Sequence, residues 1–141
     1  MIAMGDEMAR ALTAYLQREK VPARKPLQQA IDALKFPLTL DDTYVPFETA
    51  GYLPCALDGE DAGFDLRFKE AAGAPAALQD KIGRRDTALA LKWGGDPREA
   101  AAALVVCAAL AKSFDAVVQD GDTETLLSPD ELIGRAKAAQ E

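Results

Sequence analysis

The sequence predicts one α+β domain over residues 1–141, in which helices lie at both ends of a small, mostly antiparallel sheet. Three observations lead to this fold class. Apolar residues repeat at helical spacing near both termini, whereas residues 52–93 contain short segments separated by glycines and prolines. The longest apolar run, residues 100–111, is rich in alanine and has no polar face, which is typical of an enclosed core helix. The expected element order is ααβββαβα.

Two helices are predicted at the start of the chain. Residues 4–19 place methionine, alanine, leucine and tyrosine at helical spacing, with two acids near the positive end of the helix dipole. Two prolines then interrupt the pattern. The second, Pro26, suits the first position of a helix over residues 26–36, whose buried face would extend from Leu27 to Leu34.

Three strands are predicted in the middle of the chain. Residues 52–57 are a candidate strand that Pro54 restricts to a sheet edge or a first position. Residues 57–63 have the composition of a hairpin loop. Residues 63–69 alternate apolar and charged side chains, and residues 86–93 form a third strand with leucines and a tryptophan on one face.

The motif WGGDPRE precedes a long helix over residues 97–113. Its glycines match neither a Walker loop nor a dinucleotide-binding loop. Asp96 occupies the N-cap position, Pro97 the first helical position and Glu99 the third, which is a capping-box pattern. Since the Asp96 carboxylate would accept the free N–H groups and repel an anion, we predict a structural role for this motif.

A fourth strand over residues 115–120 and a helix beginning after the N-cap residue Ser128 complete the expected order. Residues 120–131 partly match a calcium-binding EF-hand loop, with acids at its first, third, fifth and twelfth positions. Thr125 stands where that loop requires glycine, however, and Pro129 lies within it. We therefore predict no metal site.

The composition argues against several classes of catalyst. The chain contains no histidine, which removes histidine-based triads and histidine-ligated metal sites. Its two cysteines, Cys55 and Cys107, lie in apolar segments and are expected to be buried rather than reactive. Carboxylate pairs such as Asp58 and Asp61 lie beside glycines in turn-like segments, where aspartate is favoured for backbone reasons. We expect no catalytic residues and no cofactor.

The sequence also indicates where the protein resides. No apolar run is long enough to span a membrane. Asp6 and Glu7 stand near the N-terminus, where a signal peptide would carry basic residues followed by a long apolar stretch. We therefore expect a cytoplasmic protein without a membrane partner.

The net charge of −7 is concentrated in two acidic blocks. Residues 37–66 contain seven acids and residues 115–131 contain six, and neither block contains a lysine or an arginine. Solvated turns are one explanation. The other is a negative surface that attracts a basic partner and accelerates association. Such a surface disfavours nucleic acid, whose phosphates require basic side chains.

The first acidic block also carries aromatic residues, a composition that is common at protein interfaces. The alternative to an interface role is a structural one, in which Phe47 and Phe64 lie in the core and the tyrosines are half-buried supports. The predicted partner-binding residues are Asp41, Asp42, Tyr44, Glu48, Tyr52, Asp58, Glu60 and Asp61.

The C-terminal half, with LKWGGD before an alanine-rich helix and then DAVVQD and LLSPDEL, resembles a group of small, mostly uncharacterised bacterial proteins. The resemblance covers about residues 86–133, and the group includes cytoplasmic immunity partners of toxins that bacteria deliver into one another. Together with the absent catalytic set and the acidic, aromatic block, it favours a non-catalytic protein that occludes a toxin, and the acidic surface makes a basic toxin domain the expected partner. The shared features belong to the scaffold, so no binding residue is transferred. A small structural or regulatory subunit of another cytoplasmic assembly is the alternative.

Overall fold

The computed structural model describes residues 11–121 and 125–140. Within them the chain forms the predicted α+β domain. The strands are β1 (Ala11–Leu16), β2 (Leu38–Leu40), β3 (Gly51–Leu53), β4 (Cys55–Leu57), β5 (Glu60–Asp61), β6 (Phe64–Glu70), β7 (Thr87–Lys92), β8 (Val117–Asp120) and β9 (Leu126–Leu127). The helices are α1 (Arg24–Ala33), α2 (Ala76–Ile82), α3 (Pro97–Ser113) and α4 (Pro129–Gln140), with 3-10 turns at Arg18–Lys20 and Ala71–Gly73.

The main sheet has six strands in the order β3-β6-β7-β1-β8-β9, and every neighbouring pair is antiparallel. Strand β1 lies inside the sheet, where Ala14 stands opposite Leu89 of β7 and Val118 of β8. The predicted N-terminal helix is therefore wrong over Ala11–Leu16, and residues 1–10 lie outside the described residues.

Both faces of β1 are covered, which explains the error. Leu12, Ala14 and Leu16 belong to the main core, whereas Tyr15 belongs to a smaller cluster on the opposite face with Leu78 of α2. A strand that is buried on both faces shows no strict alternation of apolar and polar residues. Its alanines and leucines also have high helix propensity, which tertiary pairing overrides here.

Helix α3 is the centre of the core, as predicted. All ten residues from Ala101 to Leu110 are buried. The helix packs on β1, β6 and β8 and against helices α1 and α4. Its many alanines permit this close approach on every side. No helix in the described residues is long and apolar enough to cross a bilayer.

A second, three-stranded sheet has the order β2-β4-β5. The predicted strand over residues 52–57 is in fact two short strands of different sheets, β3 and β4, separated at Pro54 because proline cannot donate to a strand ladder. The hairpin loop predicted over residues 57–63 is only partly right, because Glu60–Asp61 within it form strand β5. The turn itself is confined to Asp58 and Gly59, which join β4 to β5 with φ values of 54° and 84°. Both values are positive, as the favoured two-residue hairpin turn requires.

The predicted N-cap of α3 is confirmed, whereas the predicted start of α1 at Pro26 and the predicted capping box at Glu99 are wrong. Helix α1 begins at Arg24, so Pro26 stands third, where a backbone N–H still has no intrahelical acceptor. At α3 the Asp96 carboxylate accepts from the N–H of Arg98 at 2.9 Å, as a cap should. Glu99 completes the arrangement differently from a capping box, because its Oε1 accepts from the N–H of Gly94 at 2.9 Å.

Candidate functional site

Five of the six predicted carboxylates lie around the three-stranded sheet, and together they form what we call the acidic face. Its members are Asp41, Asp42, Asp58, Glu60 and Asp61. All but Asp41 are exposed, and Asp41 is half-buried. Among the described residues, the basic side chains paired with this face are Arg24 and Arg98, so negative charge is in excess.

One half of the acidic face is a groove of about 320 Å³ lined by Asp41, Asp42 and Asp61 together with Arg24. The side chain of Asp42 is 96% exposed, and its Oδ1 lies 3.3 Å from Arg24 Nε. That nitrogen also donates to the carbonyl oxygen of Leu40 at 2.9 Å. An ion pair so open to solvent contributes little stability, and Asp42 is therefore available to a partner.

Asp41 has a different local role. Its carboxylate accepts from the hydroxyl of Thr43 at 2.7 Å and from the Thr43 N–H at 3.1 Å. These two hydrogen bonds, with a smaller contribution from Arg24, lower the pKa of Asp41 below its ordinary value. Asp41 therefore carries a fixed negative charge at neutral pH, which suits an electrostatic contact rather than proton donation.

The other half of the acidic face is a groove of about 350 Å³ beside the start of α3. Asp58 and Glu60 line it from the hairpin, and Asp96 and Arg98 line it from the helix. Glu60 forms an ion pair with Arg98. This contact connects the hairpin to α3, so the β4–β5 turn is held against a rigid element.

Tyr44 lies in the core, which corrects the expectation that it is available to a partner. Only 3% of its surface is exposed, and its hydroxyl donates to the carbonyl oxygen of Pro22 at 2.8 Å. Its ring centroid is 6.4 Å from that of Phe68. Burial raises the pKa of Tyr44 well above its ordinary value. The turn at Asp41 directs the chain so that this tyrosine points inward.

The remaining two predicted residues lie outside the acidic face. Tyr52 is 61% exposed on β3, an edge strand of the main sheet, where it shares a shallow groove with Trp93. Its ring covers Gly63, where an added Cβ would meet the ring at 2.4 Å. Glu48 is exposed in the loop between β2 and β3. Tyr52 thus lies against Gly63, the second residue after Asp61 in the chain.

Three acids of the second acidic block, Asp115, Asp120 and Glu131, are bonded to neighbouring side chains. Asp115 forms ion pairs with Arg85 at 3.1 Å and Lys20 at 3.4 Å, and these cations, Arg85 first, lower its pKa. Asp120 pairs with Arg135 at 3.2 Å. Glu131 caps α4 through hydrogen bonds with Ser128, which lower its pKa. These three acids therefore serve local structure.

Both cysteines are free and buried, as predicted. Burial raises the pKa of Cys55 to about 12 and that of Cys107 further still. A thiolate is the reactive form of cysteine, so both thiols are unreactive in the folded protein.

A further groove, which no sequence pattern predicted, lies beside Phe47. This groove of about 690 Å³, here called the aromatic groove, is lined by both Phe47 and Phe68, with Arg18, Lys69 and Arg85 among its other residues. Phe47 is 36% exposed, whereas Phe64, the other candidate core phenylalanine, is fully buried. The lining segments lie far apart in sequence and follow no common motif, so no sequence signal pointed to them.

Within the described part of the chain, no cluster of three or more His, Cys, Asp or Glu side chains is arranged to hold a metal ion. Residues 122–124 of the calcium-like segment lie outside that part. The chain matches no family model, no curated protein and no solved structure. The resemblance to immunity proteins therefore stays a prediction.

Proposed function

We propose that this chain is a non-catalytic binding protein whose acidic face occludes a basic surface of a partner protein, and that it serves as an immunity protein against a bacterial toxin. The observation that carries the proposal is the gathering of Asp41, Asp42, Asp58, Glu60 and Asp61 around one small sheet. Like charges held together cost stability through their mutual repulsion. A role in binding a basic partner would explain why the chain keeps these charges together despite the loss of stability.

The acidic face is also held in shape before it meets a partner. The Asp41 carboxylate is fixed by Thr43, and Glu60 is fixed by Arg98 at the start of α3. A binding surface whose side chains are already ordered loses less conformational entropy on association. Its negative potential would steer a basic partner toward it and increase the association rate.

The toxin assignment comes from charge together with the sequence resemblance. A toxin that acts on nucleic acid needs basic residues where it holds the phosphates, and a negative surface can cap such a site. The alternative, a subunit of another cytoplasmic assembly, would use the same surface for a harmless partner. The toxicity of the partner therefore distinguishes the two.

The proposal is tested by reversing two charges that line one groove, Asp42→Lys with Asp61→Lys. The matched control, Glu19→Lys with Asp80→Lys, makes the same change of net charge at exposed positions outside the acidic face. Each exposed change should alter the free energy of unfolding by no more than about 0.5 kcal/mol.

The partner captured by the wild-type chain is purified, and association rates are measured over a range of salt concentrations. We expect wild-type association to slow as salt increases, because ions screen exposed charges. The acidic-face variant should associate more slowly and depend less on salt, while the control stays near wild type. Equal rates for both variants would exclude the acidic face as the binding surface.

A further inference from the structure

We propose that the aromatic groove binds a small planar aromatic anion, that is, a flat ring carrying one carboxylate or sulfonate-like group. This inference does not depend on the proposed function, because the groove shares no lining residue with the acidic face. Its volume of about 690 Å³ falls within the usual range for small-molecule sites, about 300–1,000 Å³.

The first argument is the placement of Phe47. Its φ of 67° is in the left-handed region, which bulky side chains rarely adopt. The ring that this backbone places is only partly buried, since 36% of the residue is exposed. Backbone strain of this kind persists only where surrounding contacts impose it, and it concentrates at functional sites.

The loop that carries Phe47 is closed by Thr49. The Thr49 hydroxyl accepts from the N–H of Val45 at 2.8 Å and donates to the carbonyl oxygen of Thr43 at 3.1 Å. The Thr49 N–H donates to the Val45 carbonyl oxygen at 3.0 Å. Phe47 therefore stands at the tip of a hydrogen-bonded loop, where its ring lies 5.1 Å from that of Phe68. Two aromatic rings thus give the groove an apolar wall.

The second argument is the charge beside that wall. The Arg18 guanidinium lies 3.9 Å from the centroid of the Phe47 ring. In the described part of the chain neither Arg18 nor Lys69 has a carboxylate within 4.0 Å of its charged group. A guanidinium stacked on a ring still offers N–H groups at its edge, which bind carboxylates in a planar, two-point geometry.

Two of the other charged groups of the groove, Arg85 and Asp86, are already bonded within the chain. Arg85 donates to the carbonyl oxygens of Ile82 and Asp115 and to the Asp115 carboxylate. Asp86 accepts from the Arg18 N–H at 2.8 Å and is also bonded to Thr87. Glu70 is the remaining acid of the lining. Three cations and two acids line the groove, and one of the cations, Arg85, is already paired with the Asp115 carboxylate outside the lining. The ring wall and the two cations without a carboxylate within 4.0 Å among the described residues, Arg18 and Lys69, together match a flat anion.

The test uses 8-anilinonaphthalene-1-sulfonate, whose flat naphthalene ring carries one sulfonate, as the anionic probe. Its uncharged analogue, N-phenyl-1-naphthylamine, is the comparison. Fluorescence titrations of the whole chain should show saturable binding of one sulfonate probe per chain. The uncharged analogue should bind at least about tenfold more weakly, the factor expected for loss of one charge-assisted hydrogen bond.

Two variants locate the site. Arg18→Gln removes the stacked cation and should weaken binding of the anionic probe about tenfold or more, with little effect on the uncharged analogue. Phe47→Gly removes the ring and accepts the positive φ without strain, so it should weaken both probes while the chain stays folded. The matched control Arg84→Gln makes the same charge change at an exposed arginine outside the lining and should leave binding unchanged.

Since the sulfonate probe also binds partly folded chains, near-UV circular dichroism of each variant must match wild type. A Phe47 variant that fails this check is replaced by Phe47→Asn, because asparagine also tolerates positive φ. The proposal is overturned if the probe does not saturate, if both probes bind equally, or if Arg84→Gln weakens binding as much as Arg18→Gln does.

Discussion

The substitution Tyr44→Phe separates a core role for this residue from a role in binding. Phenylalanine keeps the buried ring and its contact with Phe68, so the change removes only the hydroxyl. That hydroxyl donates to the carbonyl oxygen of Pro22 at 2.8 Å in a buried setting. A buried acceptor that loses its donor costs about 1–3 kcal/mol. We therefore expect the free energy of unfolding to fall by about 1–2 kcal/mol.

Urea denaturation measures this loss. With a slope of about 1–3 kcal/mol per molar urea, a loss of about 1.5 kcal/mol lowers the midpoint by roughly 0.5–1.5 M. The matched control is Tyr52→Phe, which removes a hydroxyl from a residue that is 61% exposed and should change stability by no more than about 0.5 kcal/mol. Unchanged stability in Tyr44→Phe, together with weaker partner binding, would refute the core assignment.

The same hydroxyl predicts a dependence on pH. Burial raises the pKa of Tyr44, so folding favours its neutral form. The resulting stability is fully present below the unfolded pKa of about 10 and is lost as the pH rises above it. We expect this alkaline loss to be smaller in Tyr44→Phe than in wild type, when unfolding is measured between about pH 9 and 11. Burial also raises the pKa of Tyr15, so Tyr15 accounts for part of the alkaline loss of stability that remains in Tyr44→Phe.

Three further predictions concern the scaffold. Asp96→Ala should lower the free energy of unfolding in urea by about 0.5–2 kcal/mol, and Asp96→Asn by less, because the amide oxygen still accepts at the N-cap. Cys55 and Cys107 should resist a thiol reagent at neutral pH and react only after unfolding, and stability should fall as the pH rises above about 8.5, since burial raises both pKa values. Gly63→Ala should cost at least about 2 kcal/mol, because its Cβ would lie 2.5 Å from a backbone carbonyl oxygen of β3. Gly134→Ala, in open space on α4, should instead be neutral or stabilising by up to about 1 kcal/mol in the same assay.

The parts of the fold that sequence predicted correctly depend on local chemistry. The helix over Pro97–Ser113 is marked by its cap at Asp96 and its continuous apolar run, and its ends match the prediction. The strand Phe64–Glu70 is marked by alternation, because one face meets the core and the other meets solvent. Signals of this kind lie within a few residues of one another, so they can be recognised without knowing the partner elements.

The parts that sequence missed depend on contacts between distant segments. Strand β1 is a strand because β7 and β8 pair with it on both sides, and nothing within Ala11–Leu16 indicates those partners. In sequence, Tyr44 stands among acids, as an interface residue often does. Its burial depends on a distant contact, the hydrogen bond from its hydroxyl to the carbonyl oxygen of Pro22. The aromatic groove likewise combines Phe47 with Arg18, which lies 29 positions away.

The acidic face was predicted from sequence in its composition but not in its arrangement. Sequence identified its carboxylates from the absence of lysine and arginine over residues 37–66. It did not indicate that Arg24 and Arg98, from outside that block, partly compensate them. Nor did it show that neither Glu48 nor Tyr52 lines the two grooves of the acidic face. Charge density is a property of sequence, whereas a charged surface depends on how the strands pair.

A growth assay tests the central claim most directly, the claim that the acidic face neutralises a basic toxin. The captured partner is expressed alone, with the wild-type chain, with the Asp42→Lys/Asp61→Lys variant, or with the Glu19→Lys/Asp80→Lys control, at equal soluble levels. We predict that the partner alone arrests growth, that wild type and the control restore it, and that the acidic-face variant does not. A partner that is harmless alone, or equal rescue by the acidic-face variant, would contradict the account.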